Sequence, residues 1–346
     1  MLEIDGRVLR AVWTAFVFVL VIALIYLTRS VLVIFTLAIF LAHLIAPLVD
    51  RIDRLTPKRV SRTMVLAIVY LALIGIALAV LIPVGAKIGE QASTLASRLP
   101  ETLKEDPLSR FPLPLWLETW RPRVTEFLDE QTTGLGDRIL PLLQRLGPGI
   151  LAGLGSLAAV VLIPILSFFF LKDGLLMRDA IVECFHPQRR TLAEEILADL
   201  HRLVAQYIRA LVLLAMATFV SYAIMLSALG VPYAVLLASV AGILELIPFV
   251  GPLSAAVVTL LVAGLSGYVH MLWIVIFLIV YRLFQDYVLS PYLLSSGVAL
   301  HPLLVLFGVL AGERVAGIPG MFFSVPVIAA LRIIIVRMRR RQQMHA

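Results

Sequence analysis

Cysteine is almost missing from this chain: Cys184 is the single one among 346 residues. One thiol cannot close an internal disulfide or build a cysteine-based metal site, so Cys184 reads as a small apolar filler. Charge is scarce as well. Only 15% of residues are charged and 61% are hydrophobic, against roughly 25% and 45–50% in soluble domains. A water-soluble fold could not hide that excess, because surface outruns core volume, so lipid must solvate much of the chain. The sequence also lacks a Walker loop, a His-Glu-x-x-His helix and a Gly-x-Ser-x-Gly elbow, which argues against an enzyme and against ATP-driven work within the chain. No cofactor or metal is expected. An intramembrane aspartyl protease would need two acids in recognisable settings, and Glu245 with Asp286 is a poor match.

What is present is long apolar runs. Backbone groups in hydrocarbon need internal partners, which leaves helices or a closed barrel. Runs such as 8–28 and 63–83 are continuous, without the alternation of barrel strands. The expected fold class is all-α: a polytopic helical membrane protein with about eight transmembrane helices of roughly 20 residues each. The spans read as 8–28, 31–49, 63–86, 150–171, 207–229, 271–289, 300–312 and 318–336. The stretch 231–267 is expected to be a re-entrant broken hairpin, because Glu245, Pro248, Gly251 and Pro252 sit at its middle; two full crossings would also preserve parity. The first run is too long for a signal-peptide core and reads as a retained span.

Basic residues set the orientation. They crowd the loop 50–62 (Arg51, Arg54, Lys58, Arg59, Arg62), the stretch 172–209 and the tail (Arg337, Arg339, Arg340, Arg341). All three are expected in the cytoplasm, with both termini. The net charge of +7 then reflects topology and lipid headgroups; no recognition motif accompanies it, so no nucleic-acid partner is expected. The stretch 87–149 differs, with eight basic residues, nine acidic ones and seven prolines. It reads as an extracytoplasmic insert with amphipathic pieces at 124–130 and 138–146, resting on the bilayer near Pro112, Pro114 and Trp116. Four units result: scaffold spans over 1–86, the insert over 87–149, two spans with a cytoplasmic helix at 174–206 over 150–230, and a C-terminal unit over 231–346. Gly174 is expected to stop the fourth span in a left-handed turn, and Thr191 with Glu194 suggests a capping box.

Charges within apolar runs are costly, about 2.5–3.5 kcal/mol each at mid-bilayer. Glu245 lies in Leu244-Glu245-Leu246-Ile247-Pro248, and Arg282 and Asp286 stand four apart on one helical face. Glu245 and Asp286 can bind a cation or proton, with Arg282 as counter-charge or anion contact. Alternatively, Arg282 and Asp286 form a structural pair or snorkel from a span end. His301, before Pro302, can serve proton coupling or cap the helix that follows. A faint internal echo sets Pro232, Val235, Leu236, Ala241, Gly242, Ile247 and Pro248 against Pro302, Val305, Leu306, Ala311, Gly312, Ile318 and Pro319. Such paired Gly/Pro interruptions mark binding sites in repeat-built membrane proteins.

The run Glu245-Leu246-Ile247-Pro248-Phe249-Val250-Gly251-Pro252 is followed in order by Asp286 with Pro291, Leu300-His301-Pro302-Leu303, Gly317-Ile318-Pro319-Gly320 and Val325-Pro326. With Phe170-Leu171-Lys172-Asp173-Gly174 and the insert after the third span, this pattern resembles the autoinducer-2 exporter family of bacterial permeases over most of the chain. The resemblance implies a transporter of the bacterial inner membrane, assembled as a homo-oligomer, by analogy a pentamer. Some members are linked to export of the furanone autoinducer-2, and others look like sodium/proton antiporters. Glu245, Gly251, Pro252, Asp286, Pro291, His301 and Pro302 match family motifs; Pro248 and Arg282 join them as candidate substrate or ion contacts. The expectation is export of a small polar solute by alternating access around the broken hairpin of 231–346. A monovalent cation/proton antiporter and a non-transporting membrane scaffold are the alternatives.

Overall fold

Leucine, isoleucine, valine and alanine dominate the apolar runs, and in lipid their backbone groups can be satisfied only within the segment. The computed structural model, which describes residues 6–57, 60–104, 157–294 and 300–344, accordingly holds helices and no strand among the described residues. They are α1 (Gly6–Leu27), α2 (Arg29–Leu55), α3 (Arg62–Lys104), α4 (Leu157–Glu183), α5 (Pro187–Ala228), α6 (Ala234–Leu244), α7 (Val250–Leu265), α8 (Met271–Phe284), α9 (Ser290–Leu294) and α10 (Pro302–Met344). One π-helical turn, Gln285–Leu289, joins α8 to α9. Five stretches among the described residues are long and apolar enough to cross a bilayer: Val31–Leu55, Arg62–Arg98, Pro187–Ala228, Met271–Leu293 and Pro302–Gln343. Their large side chains face outward, with Leu71 70% and Phe307 69% exposed, as lipid-facing residues must be. The protein is an all-α, multi-pass membrane protein.

Several boundaries differ from the sequence expectation, mostly because helices continue. The third span does not end at residue 86. α3 runs to Lys104, its early polar stretch braced by Lys87 and Glu90 at 3.0 Å. α4 passes through Lys172, Asp173 and Gly174, and Gly174 keeps a negative φ rather than a left-handed turn. The helix expected over 174–206 is therefore divided: α4 ends at Glu183 and α5 starts at Pro187, in the first turn, where proline's missing N–H is not needed. Thr191 and Glu194 lie inside α5 and form no box at its start. α5 then continues through Tyr207 without a break, so the wet helix and the fifth span are one 42-residue element. Charged residues by themselves do not end a hydrogen-bond ladder; a backbone obstacle does. The rest of the expected insert, including 124–130, 138–146, Pro112, Pro114 and Trp116, lies outside the described residues.

Two cores organise the packing. Val49, Leu66 and Tyr70 join α2 and α3 against Phe168 and Leu171 of α4, with the Tyr70 hydroxyl 2.6 Å from Ser167 Oγ. The second core unites Leu226 of α5, Leu237 and Ala241 of α6, Ala255 of α7, and Ile274 and Phe277 of α8. The C-terminal half of α5 thus belongs with 231–267 rather than with the preceding spans. α6 has 11 residues and α7 has 16, about 16 and 24 Å at 1.5 Å per residue, both short of the roughly 30 Å hydrocarbon thickness. They form an antiparallel hairpin: Leu236 and Val262 share one small cluster with Ala92, Leu95 and Ala96 of α3. Gln91 Oε1, also on α3, accepts the Leu236 N–H at 2.8 Å and caps the first turn of α6 from outside the hairpin.

α10 is a second hairpin. Ala316 (φ −141°) and Gly317 (φ 63°) interrupt it, and its arms approach so closely that a Cβ on Gly312 would stand 2.2 Å from the Gly320 carbonyl oxygen. The two echoing sequence segments therefore occupy two helix–break–helix hairpins. On the side of the basic tail, Arg337 bonds Glu195 at 2.8 Å and Asp199 at 2.6 Å on α5. His43 Nε2 of α2 lies 3.0 Å from His201 Nδ1 of α5.

Gly174 and Gly312 should answer oppositely to alanine. Nothing lies within 4 Å of a Cβ at Gly174, so Gly174→Ala is expected to stabilise the protein by about 0.5–1 kcal/mol. Gly312→Ala should sharply lower the melting temperature in detergent. A Gly312→Ala protein as stable as the parent would contradict the close approach of the two arms.

Candidate substrate site at the α6–α7 break

The chain must reverse between α6 and α7 inside an apolar surround, and five residues do it. Glu245 is the C-cap of α6, its N–H bonded to Ala241 O at 3.0 Å. Ile247 N–H returns to Leu244 O at 2.9 Å, and Val250 N–H reaches Pro248 O at 2.7 Å. That last bond closes a γ-turn centred on Phe249, whose φ of 63° and ψ of −53° lie in a rare, strained region. Gly251 then starts α7 with its N–H on Ile247 O at 3.0 Å. A Cβ here would fall 1.8 Å from the Leu244 carbonyl oxygen, so only glycine lets α7 begin against the end of α6. Pro252, in the first helical turn, needs no N–H partner.

The reversal places the Glu245 carboxyl indoors. Glu245 is 7% exposed, yet no cation among the described residues is bonded to it. Thr218 Oγ1 of α5 donates to Oε2 at 3.2 Å, and Gln285 Nε2 of the π turn donates to Oε1. Thr218 is itself tied to the Tyr281 hydroxyl at 2.9 Å. The π turn matters for this arrangement: one wide turn after Phe284 carries Gln285 to Glu245 while Asp286 still reaches back to Arg282, Oδ2 to Nε at 2.8 Å. π-helical turns recur at functional sites for such re-aiming. Beside the carboxyl lies a cavity of about 250 Å³ whose wall includes Tyr222, Phe249, Pro252, Tyr281, Arg282 and Gln285.

Of the residues singled out from sequence, Glu245, Pro252 and Arg282 line this cavity, while Pro248 and Gly251 shape the turn beside it. Asp286 pairs with Arg282, and both are close to half-exposed, the geometry of a mutual pair. Pro291 lies in α9, beyond the π turn. His301 and Pro302 are not part of the cavity wall. They start α10, where the Leu303 N–H donates to His301 Nδ1 at 3.3 Å in a capping arrangement. Thr218, Tyr222, Phe249, Tyr281 and Gln285 escaped selection. A lone threonine or tyrosine in an apolar span carries no signal until its face is known; Gln285, polar beside Asp286 at depth, did carry one.

Lipid-facing helices around a buried, unpaired acid at a backbone break define a multi-pass membrane protein with an internal polar site. The chain belongs to the AI-2E transporter family: the sequence profile of that family, described as AI-2E family transporter, matches residues 15–340. It is 24% identical over 331 residues to YrrI of Bacillus subtilis strain 168, named as a candidate transport protein, covering 92% of this chain and 89% of YrrI. It is 25% identical over 334 residues to YueF of the same organism, likewise a candidate transport protein, covering 90% and 89%. PerM of Escherichia coli K12, a candidate permease, is 27% identical over 210 residues, covering 58% of this chain and 56% of PerM.

Thr218→Val removes one donor from Glu245 and one of the partners of the Tyr281 hydroxyl, both in the interior. It should destabilise the protein by about 1–3 kcal/mol. In a Glu245→Gln background the same change should cost a different amount, because the two residues share one network. Thermal unfolding of the four proteins in detergent measures the coupling; strict additivity would mean that the Thr218–Glu245 bond contributes nothing.

Proposed function

We propose that the protein is a secondary transporter of the bacterial inner membrane, with both termini cytoplasmic, that exports a small polar solute through the cavity beside Glu245. The observation that carries this reading is the buried carboxyl with only neutral partners, opening onto a cavity at a helix break. A fold seeking stability alone would fill that position with an apolar side chain, since burying a charge without a partner is costly. Irregular backbone at depth is tolerated where it lines a cavity, and discontinuous helices meeting at a site are a recurrent design of secondary transporters. Alternating access would expose the cavity by moving the α6–α7 hairpin against its neighbours. The family's transport role and the candidate transport relatives support the reading.

The unpartnered acid equally suits a monovalent cation or proton, the second reading. Flux in proteoliposomes separates the two: solute efflux without ion exchange supports the first, sodium-dependent proton movement the second. In either case Glu245→Gln should lower flux roughly ten- to a hundredfold, the equivalent of one charge-assisted contact. Ala256 also lines the cavity, so Ala256→Trp, which fills it, should do the same. Wild-type flux in both variants would remove the cavity from the transport path.

A further inference from the structure

Resting on that reading of the cavity, we propose that its solute is a small organic ammonium ion, with Glu245 as the counter-charge and Tyr222, Tyr281 and Phe249 as an aromatic wall. Charge selects the sign. Among the described residues, three charged side chains stand at or beside the cavity: Glu245, Arg282 and Asp286. Arg282 and Asp286 neutralise one another at 2.8 Å, while Glu245 bonds only to Thr218 and Gln285. The surplus is one negative charge, and it is the deeper one. An anionic solute would meet that carboxylate with only an already paired guanidinium to offset it.

The wall selects the kind of cation. A hard ion such as sodium must exchange its hydration shell for a cage of oxygen ligands. Here the Glu245 carboxylate stands in a wall that also holds Arg282 and Gln285 but is otherwise largely ring and hydrocarbon, with Tyr222, Phe249, Leu253 and Leu278. An alkylammonium ion carries its own apolar surface and needs one carboxylate and aromatic faces, the arrangement that recognises quaternary ammonium groups. Tyr222 and Tyr281 stand edge to face, with centroids 5.7 Å apart and planes at 86°, so they form a corner rather than a stack. The strained γ-turn is centred on Phe249, which itself lines the cavity. The cavity, about 250 Å³, has room for a solute of several heavy atoms.

Binding to the purified full chain in detergent, in an amine-free phosphate buffer, tests this. The probes are propylammonium, tetramethylammonium, sodium, propionate and propanamide, read by calorimetry and by thermal shift. Both ammonium ions should bind saturably, and sodium, propionate and propanamide should not. Glu245→Gln should abolish binding, and Phe249→Leu should weaken it roughly two- to thirtyfold, the range of one cation–π contact. Asp286→Asn should also weaken it, because it releases the Arg282 charge beside the solute, an effect that a packing role would not produce. Should Asp286→Asn or Phe249→Leu leave affinity unchanged, the charge arithmetic or the aromatic wall is wrong. Glu245-dependent binding of sodium, propionate or propanamide instead would overturn the solute class and leave the cavity standing. Ammonium binding that survives both Glu245→Gln and Ala256→Trp would overturn the cavity reading itself, and an absence of binding by either ammonium ion would overturn the proposal.

Discussion

Hydrocarbon offers backbone amides no hydrogen bonds, and this constraint decides both the regular and the irregular parts of the structure. Where it acts on an unbroken apolar run, the result is a helix, and in α3 and α5 that helix carries on into the polar sequence beside it. Where proline and glycine deny the ladder, the chain must find other acceptors in a very short distance. Between Glu245 and Gly251 it finds them in the carbonyls of Ala241, Ile243, Leu244, Ile247 and Pro248. Five of the turn's backbone N–H groups are thus bonded within the turn and the end of α6. That leaves its one polar side chain, Glu245, to be satisfied by neighbouring helices.

That side chain ties together elements far apart in sequence. Thr218 is 27 residues before Glu245 and Gln285 is 40 after it, so α5, the hairpin and the π turn meet at one carboxyl. The aromatic core beneath follows the same helices: Tyr222 packs edge-on to Phe277 at 5.2 Å. Small residues make this meeting possible. A Cβ on Gly242 would already press on Phe219 and the Ala215 carbonyl at 3.1 Å, so α6 lies against α5 nearly backbone to backbone. Without a hydrophobic drive between helices in lipid, such close van der Waals contact is what holds them.

The all-α membrane fold was legible in composition and run length alone, because the bilayer permits so few alternatives. The break at Pro248–Pro252, the Arg282–Asp286 pair and the depth of Glu245 were legible too, since charge and proline in an apolar run are conspicuous. Helix ends were not. Gly174 looked like a stop and is not one, because a glycine with free space around it continues a helix at modest cost, while Gly317 is forced out of the ladder by the return of α10 on itself. Nor, Gln285 apart, were the polar partners legible. Thr218, Tyr222 and Tyr281 belong to the site through the rotation of α5 and α8, and Gln285 through a π turn that no local periodicity announces. For His301, of the two roles its sequence position allows, the capping one appears in the fold, with the Leu303 N–H donating to its Nδ1 at the start of α10.

The energetics of Glu245 explain why its neighbourhood should be occupied. Two neutral donors recover only part of the hydration that a carboxylate loses on burial, and the remaining deficit in a low-dielectric interior is several kcal/mol. Arg282 could erase it but is held by Asp286 at 2.8 Å. The site therefore withholds the nearest cation from the nearest buried anion. A protein that merely tolerated Glu245 would have let Arg282 pair with it; one that keeps the two apart retains an electrostatic deficit that only something entering from outside, a proton or a bound cation, can remove. Interaction free energy kept available in this way favours the loaded state over the empty one, which is the difference a carrier must have if solute is to bias its conformations.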